Sequence, residues 1–155
     1  MKKNKHDIKI RNAKKKDCKD IFKWRNDRVS REMSHTSEII NWGRHCEWFC
    51  NSLGLESRIL LICENSCNEK IALISFDISE LKAVISINLN PIHRGKGLGK
   101  LCLEKAIKFF YKEFSEIKNL SAEIKKENIA SKKIFLAAGF KKYNTKDNIE
   151  FMIKY

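Results

Sequence analysis

Apolar positions along the chain switch between the two-residue period of strands and the three-to-four-residue period of helices, and the switches divide it into elements. Ile8–Ala13 alternates and predicts an opening strand. Asp17 is placed to cap a helix running to about Asn26, with Ile21, Phe22 and Trp24 on its apolar side. Ser37 is placed to cap a second helix, Glu38 to about Leu53, in which Ile39, Trp42, Cys46, Phe49 and Leu53 recur at helical spacing; Gly54 follows as its stop. Three strands come next, Arg58–Glu64, Lys70–Ile78 and Lys82–Asn90, the first two joined by the turn Asn65–Glu69. A long helical pattern covers Leu98–Phe114, then a strand Leu120–Lys125 and a short helix from Asn128 to Gly139. Phe140–Asn144 and Ile149–Lys154 form a closing pair around the turn Thr145–Asn148. The order β-α-α-β-β-β-α-β-α-β-β, with no internal repeat, no low-complexity linker and a single proline, Pro91, predicts one mixed α/β domain over residues 1–155.

Composition adds less. The length suits one domain with its own core, and the 43% hydrophobic content is that of an ordinary globular chain. The longest apolar runs, such as Ile59–Cys63, are strand-sized, so no membrane span is expected. Met1–His6 is basic but leads into charged sequence, so no secretory signal is expected and the protein reads as cytoplasmic.

Charge changes the picture. A formal net charge of +13 calls for an anionic partner: nucleic acid, anionic lipid or a phosphorylated cofactor. The 32 Lys and Arg residues are spread over every segment and are dense only at Lys14-Lys15-Lys16. The aromatics mostly fall at helical spacings that suit a core, not interleaved with basic residues as in a nucleic-acid platform. Nucleic acid and membrane are therefore set aside as partners. Six cysteines include the i, i+4 pairs Cys46/Cys50, beside His45, and Cys63/Cys67, while Cys18 and Cys102 stand alone. Zinc sites favour tighter spacing around turns, so no metal is expected and six reduced, mostly buried thiols are.

The strongest chemical signal is His93-Arg94-Gly95-Lys96-Gly97-Leu98-Gly99-Lys100, which lies between the apolar run Ala83–Leu89 and the helix that follows. Strand, glycine turn and helix together make an anion cradle. Gly95, Gly97 and Gly99 have no Cβ to obstruct a ligand, so successive N–H groups can converge on it. The helix start adds unpaired N–H donors, and Arg94, Lys96 and Lys100 add cations.

Arg94-x-x-Gly97-x-Gly99 after a strand, a helix behind it, and Asn128-x-x-Ser131-x-x-Ile134-Phe135-x-x-x-Gly139-Phe140 some thirty residues on resemble the GNAT family of N-acetyltransferases. Their pyrophosphate loop follows a Gln/Arg-x-x-Gly-x-Gly/Ala pattern. The resemblance implies a mixed, mostly antiparallel sheet with helices on both faces and one parallel strand pair splayed apart. Acetyl-coenzyme A would be the co-substrate, its pantetheine arm lying between Lys82–Asn90 and Leu120–Lys125. The implied cofactor contacts are Ile87, Leu89, the run Arg94, Gly95, Lys96, Gly97, Leu98, Gly99 and Lys100, then Asn128, Ser131 and Phe135. Glu123 matches the position where many members carry the general base. The chain departs at Phe135, where the family usually has a tyrosine acid. Tyr143 is a substitute hydroxyl to consider, with nothing in the sequence that places it in the site.

Trp24-Arg25-Asn26 and the stretch Trp42–Phe49 resemble a GNAT branch that acetylates nucleotide-linked amino sugars, including the pseudaminic acid pathway. That resemblance implies acceptor contacts at Trp24, Arg25, Asn26 and Glu47, with His45 and Ser75 in proton-relay or substrate roles. Glu47 and His45 are also rival bases, and His45 stands equally well as a core histidine bonded to a carbonyl. Arg25, Arg28, Arg31 and Arg44 would suit a diphosphate. A ribosomal-protein-type N-terminal acetyltransferase is the close alternative. A non-catalytic coenzyme-A-binding module is a second, and the family pattern allows a homodimer.

Overall fold

The computed structural model describes residues 6–155; the basic run 1–5 of the N-terminal segment read above lies outside them. Seven strands form one sheet in the order β1-β2-β3-β4-β5-β7-β6. They are β1 (Lys9–Asn12), β2 (Arg58–Glu64), β3 (Lys70–Ser79), β4 (Lys82–Leu89), β5 (Asn119–Lys125), β6 (Lys141–Lys146) and β7 (Ile149–Lys154). Among the described residues five α-helices accompany them: α1 (Cys18–Asn26), α2 (Arg28–Met33), α3 (Trp42–Leu53), α4 (Leu98–Tyr111) and α5 (Ile129–Ala137). Every strand pair is antiparallel except β4/β5.

The sheet is covered on both faces, which explains why β2 and β3 read as nearly unbroken apolar runs. On one face α4 packs with Leu61, Cys63, Ile74, Phe76 and Ile85. Phe76 and Phe110 stack there at 4.1 Å between centroids; burying a phenylalanine of this kind contributes about 1.5–3 kcal/mol. On the other face Ile21, Trp24 and Phe49 of α1 and α3 pack on Leu60, Ile62 and Leu73. The closing hairpin turns at Asp147-Asn148, both at positive φ, as a two-residue hairpin turn requires.

Four expectations about the helices are corrected. Asp17 precedes α1 but makes no capping bond to it. Its fully buried carboxylate is more strongly satisfied elsewhere, accepting from Arg11 Nη1 and Nη2 and from Lys14 N–H, with Lys70 Nζ at 2.9 Å. The helix expected from Glu38 begins at Trp42 and is capped by Asn41, whose side chain accepts from Gly43 and Arg44 N–H. Residues 38–40 stay out of it because the Asn26 amide binds both backbone groups of Ile40, at 2.9 Å to the carbonyl and 2.7 Å from the N–H. Ile39 is left 74% exposed. An unanticipated short helix, α2, starts on an Asp27 cap that accepts from Ser30 N–H. The long fourth helix stops at Tyr111, three residues early.

The thiols are free, but only Cys63 and Cys102 are buried. Cys18 is not isolated: its Sγ lies 3.9 Å from that of Cys46. Among the described residues no cluster of His, Cys, Asp and Glu could hold a metal, and no helix is long and apolar enough to cross a membrane.

Candidate active site

Strands β4 and β5 pair only at Lys82–Asn119, Ala83–Leu120 and Val84–Ser121. Beyond that β4 continues to Leu89 against β3, and β5 to Lys125 against β7, so the two strands diverge. Asn90 N–H donates to Ile71 on the β3 side, and the two-residue alternation then turns the backbone groups of Ile85, Ile87 and Leu89 towards the gap. An open strand edge of this kind can accept an extended amide-bearing ligand as an added strand.

The gap opens into a cleft of about 740 Å³. At one end lies the glycine loop. Gly95 and Gly97 both have φ +71°, a conformation strained for any residue with a Cβ, and free space lies where each Cβ would stand. Gly97 is also the N-cap of α4, so the first N–H groups of that helix face the same place. His93 contributes a buried Nε2 with no hydrogen-bond partner, and burial beside Lys96 lowers its basicity and keeps it neutral. Backbone cradle, orphaned donor-acceptor atom and open edge fit acetyl-coenzyme A. Ile87, Leu89, Gly95, Gly97 and Asn128 would hold it.

Two expected contacts work differently. Gly99 does not serve the ligand alone: a Cβ there would stand 2.5 Å from Ile134 Cδ1, so the missing side chain lets α4 and α5 pack. The Arg94 guanidinium is already paired, donating to Asp27 at 2.6 Å and to Ser30 Oγ at 2.7 Å, which ties the glycine loop to α2. Asn128 caps α5 by accepting from Ser131 N–H. Phe135 is buried at the cleft wall, edge-on to Phe140.

At the other end the cleft is bounded by α1, α2, α3 and the tip of β5. Glu123 is there, 42% exposed, with His35 Nε2 at 3.5 Å from its carboxylate. Ser75 is there too, its hydroxyl 2.5 Å from that of Ser86 on β4. Arg25 lies over the Trp48 ring at 4.2 Å. Among the described residues it has no carboxylate partner, and burial together with Arg58 lowers its pKa.

Several expected residues are not brought to the cleft. His45 is fully buried in an aromatic cage of Phe22, Trp42, Trp48 and Phe49. Its Nε2 bonds the Cys18 carbonyl, so Nε2 carries the proton, and its buried Nδ1 has no partner. Burial pushes its pKa down, which keeps the ring neutral. Trp24 is core, Asn26 is spent on Ile40, and Glu47 does not line the cleft. Tyr143 is 57% exposed beside Phe151 on β6 and β7, away from the cleft. Conversely, His35, Trp48 and Lys125 line it without having been anticipated. The one signal for His35 was a histidine inside a polar, aperiodic stretch.

Residues 7–141 match the family model described as an acetyltransferase (GNAT) domain. The chain belongs to the GNAT family. It is an acyltransferase, and the fit of its cleft agrees with acetyl-coenzyme A as co-substrate. A domain from Methanocaldococcus jannaschii DSM 2661 superposes with a TM-score of 0.83 at 22% identity, covering 96% of this chain and 97% of that one. Spermidine N-acetyltransferase from Vibrio cholerae, in complex with CoA and spermine, gives a TM-score of 0.83 at 14% identity over 95% and 94%. The aminoglycoside acetyltransferase AAC(6')-Ib with coenzyme A gives 0.81 at 16% over 96% and 94%. These likenesses show the GNAT fold. No curated protein sequence matches the chain significantly.

Proposed function

We propose that this GNAT enzyme acetylates the primary amine of an acceptor that also carries an anionic group, a nucleotide-linked amino sugar being the chemistry we favour. Arg25 carries the reading. A half-buried guanidinium without a carboxylate partner, held over the Trp48 ring at the acceptor end, is a site for phosphate or carboxylate. The acceptor end agrees: Glu123 is the one carboxylate of the cleft lining among the described residues, and Lys125 of the same strand tip adds a second cation beside Arg25. A polyamine such as the spermidine of the Vibrio enzyme would meet repulsion here, as would a polycationic aminoglycoside.

When bound, acetyl-coenzyme A supplies an activated thioester carbonyl. The open edge of β4 orients it, and the glycine nest neutralises its phosphates. Glu123 removes a proton from the acceptor ammonium and frees the amine lone pair for attack. The Ser75–Ser86 hydroxyl pair lines the same end and supplies neutral donors to the acceptor.

The test is an acetyl-transfer assay with a UDP-linked amino sugar, spermidine, an aminoglycoside and a peptide with a free N-terminus. Turnover should be highest with the sugar nucleotide. Arg25→Ala should raise its KM about 10- to 100-fold, the worth of a hydrogen bond to a charged group. Preferred turnover of spermidine, or an unchanged KM in the variant, would sink the reading.

A further inference from the structure

The geometry points to His35 as the relay that carries the acceptor's proton from Glu123 to solvent, an inference that rests on Glu123 as base. His35 lies in the α2–α3 loop, and its Nε2 is 3.5 Å from the Glu123 carboxylate. The imidazole is 58% exposed and the carboxylate 42%, so the histidine is the outer member of the pair. With acceptor and co-substrate in the cleft, the inner carboxylate is covered, and a proton taken by it needs a way out.

The loop is built to hold the histidine at that place. On its N-terminal side Lys125 Nζ of β5 donates to the Glu32 carbonyl at 3.1 Å, and Ser34 Oγ donates to the Ser30 carbonyl. On its C-terminal side Arg31 Nη1 donates to the Ser37 carbonyl, and Asn26 clamps both backbone groups of Ile40. Four anchors bracket an otherwise irregular and exposed stretch. Lys125 comes from the strand that carries Glu123, so loop and base are registered to each other.

The protons balance. Converting an ammonium and a thioester to an amide and a thiol releases one proton overall. An N–H bond of the ammonium breaks as an O–H bond forms on Glu123. That O–H then breaks as N–H forms at His35 Nε2 and the ring's Nδ1–H bond breaks, its proton passing to water; exchange of the exposed ring with water returns a proton to Nδ1 and frees Nε2 for the next turnover. His35 thus acts through Glu123 and not on the reacting atoms.

His35→Ala should lower kcat about 10-fold or more, less than the 10²–10⁴-fold expected for loss of the base itself. The acceptor KM and the Kd for coenzyme A should stay within a factor of about two, since the relay acts after binding. Added imidazole should restore kcat, and His35→Gln, which leaves a polar group beside Glu123 but has no nitrogen able to take up a proton and pass it on, should stay slow. An unchanged kcat in His35→Ala, recovery in His35→Gln, a change confined to KM, or no response to imidazole would each overturn the relay. Glu123→Gln separates the two readings: full activity there removes the base, whereas a slow Glu123→Gln beside a fast His35→Ala removes only the relay.

Discussion

The two halves of the cleft recognise their ligands by different means. The half that would take the co-substrate is made largely of backbone: the open edge of β4, the nest at Gly95 and Gly97, the start of α4 and the Asn128 cap. The acceptor half is made of side chains, Arg25 and Trp48 from two helices, His35 from a loop and Glu123 from a strand tip. Backbone recognition favours glycine at fixed positions, because glycine adopts those dihedrals without strain and leaves room for the ligand's close approach. Side-chain recognition demands only that several elements converge, and convergence leaves no spacing to read.

The acceptor half therefore depends more on long-range scaffolding, and its keystone can be removed. Buried Asp17 stitches β1 to β3 and to the chain entering α1, through Arg11, Lys70 and the Lys14 N–H. Asp17→Asn should lower the free energy of unfolding by about 3 kcal/mol, the low end for breaking a buried charge pair, because Arg11 keeps Glu64 and Lys70 keeps Asp20. Hydrogen exchange should show α1 losing protection before α4; equal loss in both would mean that the halves share one scaffold.

The same group sets an acid dependence. Arg11, Lys70 and the backbone hydrogen bond hold the Asp17 carboxyl well below its ordinary 3.8 despite its burial. Its contribution is fully present above pH 3.8. Below it the unfolded chain takes up a proton that the folded chain refuses, so stability falls with pH. Urea midpoints of Asp17→Asn should show a flatter acid limb than those of the parent, and an identical slope would assign that limb to other carboxylates.

A second variant probes the opposite half. Gly97→Val should weaken coenzyme A binding by calorimetry at least about 100-fold, combining left-handed backbone strain of roughly 1–3 kcal/mol with a side chain in the ligand's space. No protein atom lies within 4 Å of the new Cβ, so a protein clash would not be the cause. An unchanged affinity would mean that this half, too, binds through side chains.

What was legible follows the same division. The seven strands, the glycine loop and the Asn128 helix could be read because each is a local pattern of period, cap or spacing, whereas Glu123 was singled out only by what the family resemblance implies. Asp17 looked like a cap because it precedes an apolar helix, yet Arg11 of the preceding strand and Lys70 of distant β3 hold its carboxylate more strongly. The α3 boundary was misplaced because Asn26 holds Ile40 out of the helix across fourteen residues of sequence. That clamp also fixes the His35 loop, so the histidine at the cleft stayed hidden. His45 was rightly read as beside the aromatics of its helix, but those aromatics close over it and leave it in the core.

The smallest expected effect divides the glycine loop itself. Gly97 and Gly99 belong to one motif but answer to different neighbours: open space at the first, Ile134 Cδ1 at 2.5 Å from a Cβ at the second. Gly99→Ala gains helix propensity of roughly 0.5–1 kcal/mol, because glycine inside a helix is entropically costly. It also overpacks the α4–α5 contact, which costs about 1–3 kcal/mol, eased because the atom struck is the mobile end of an isoleucine. The net should be a loss near 1 kcal/mol, read as a lower urea midpoint, with coenzyme A affinity changed far less than in Gly97→Val. The double variant Gly99→Ala/Ile134→Val removes the struck methyl and should recover much of the midpoint. If Gly99→Ala instead abolishes binding at full stability, the second glycine faces the ligand as the first one does, and the backbone cradle extends a full turn into α4.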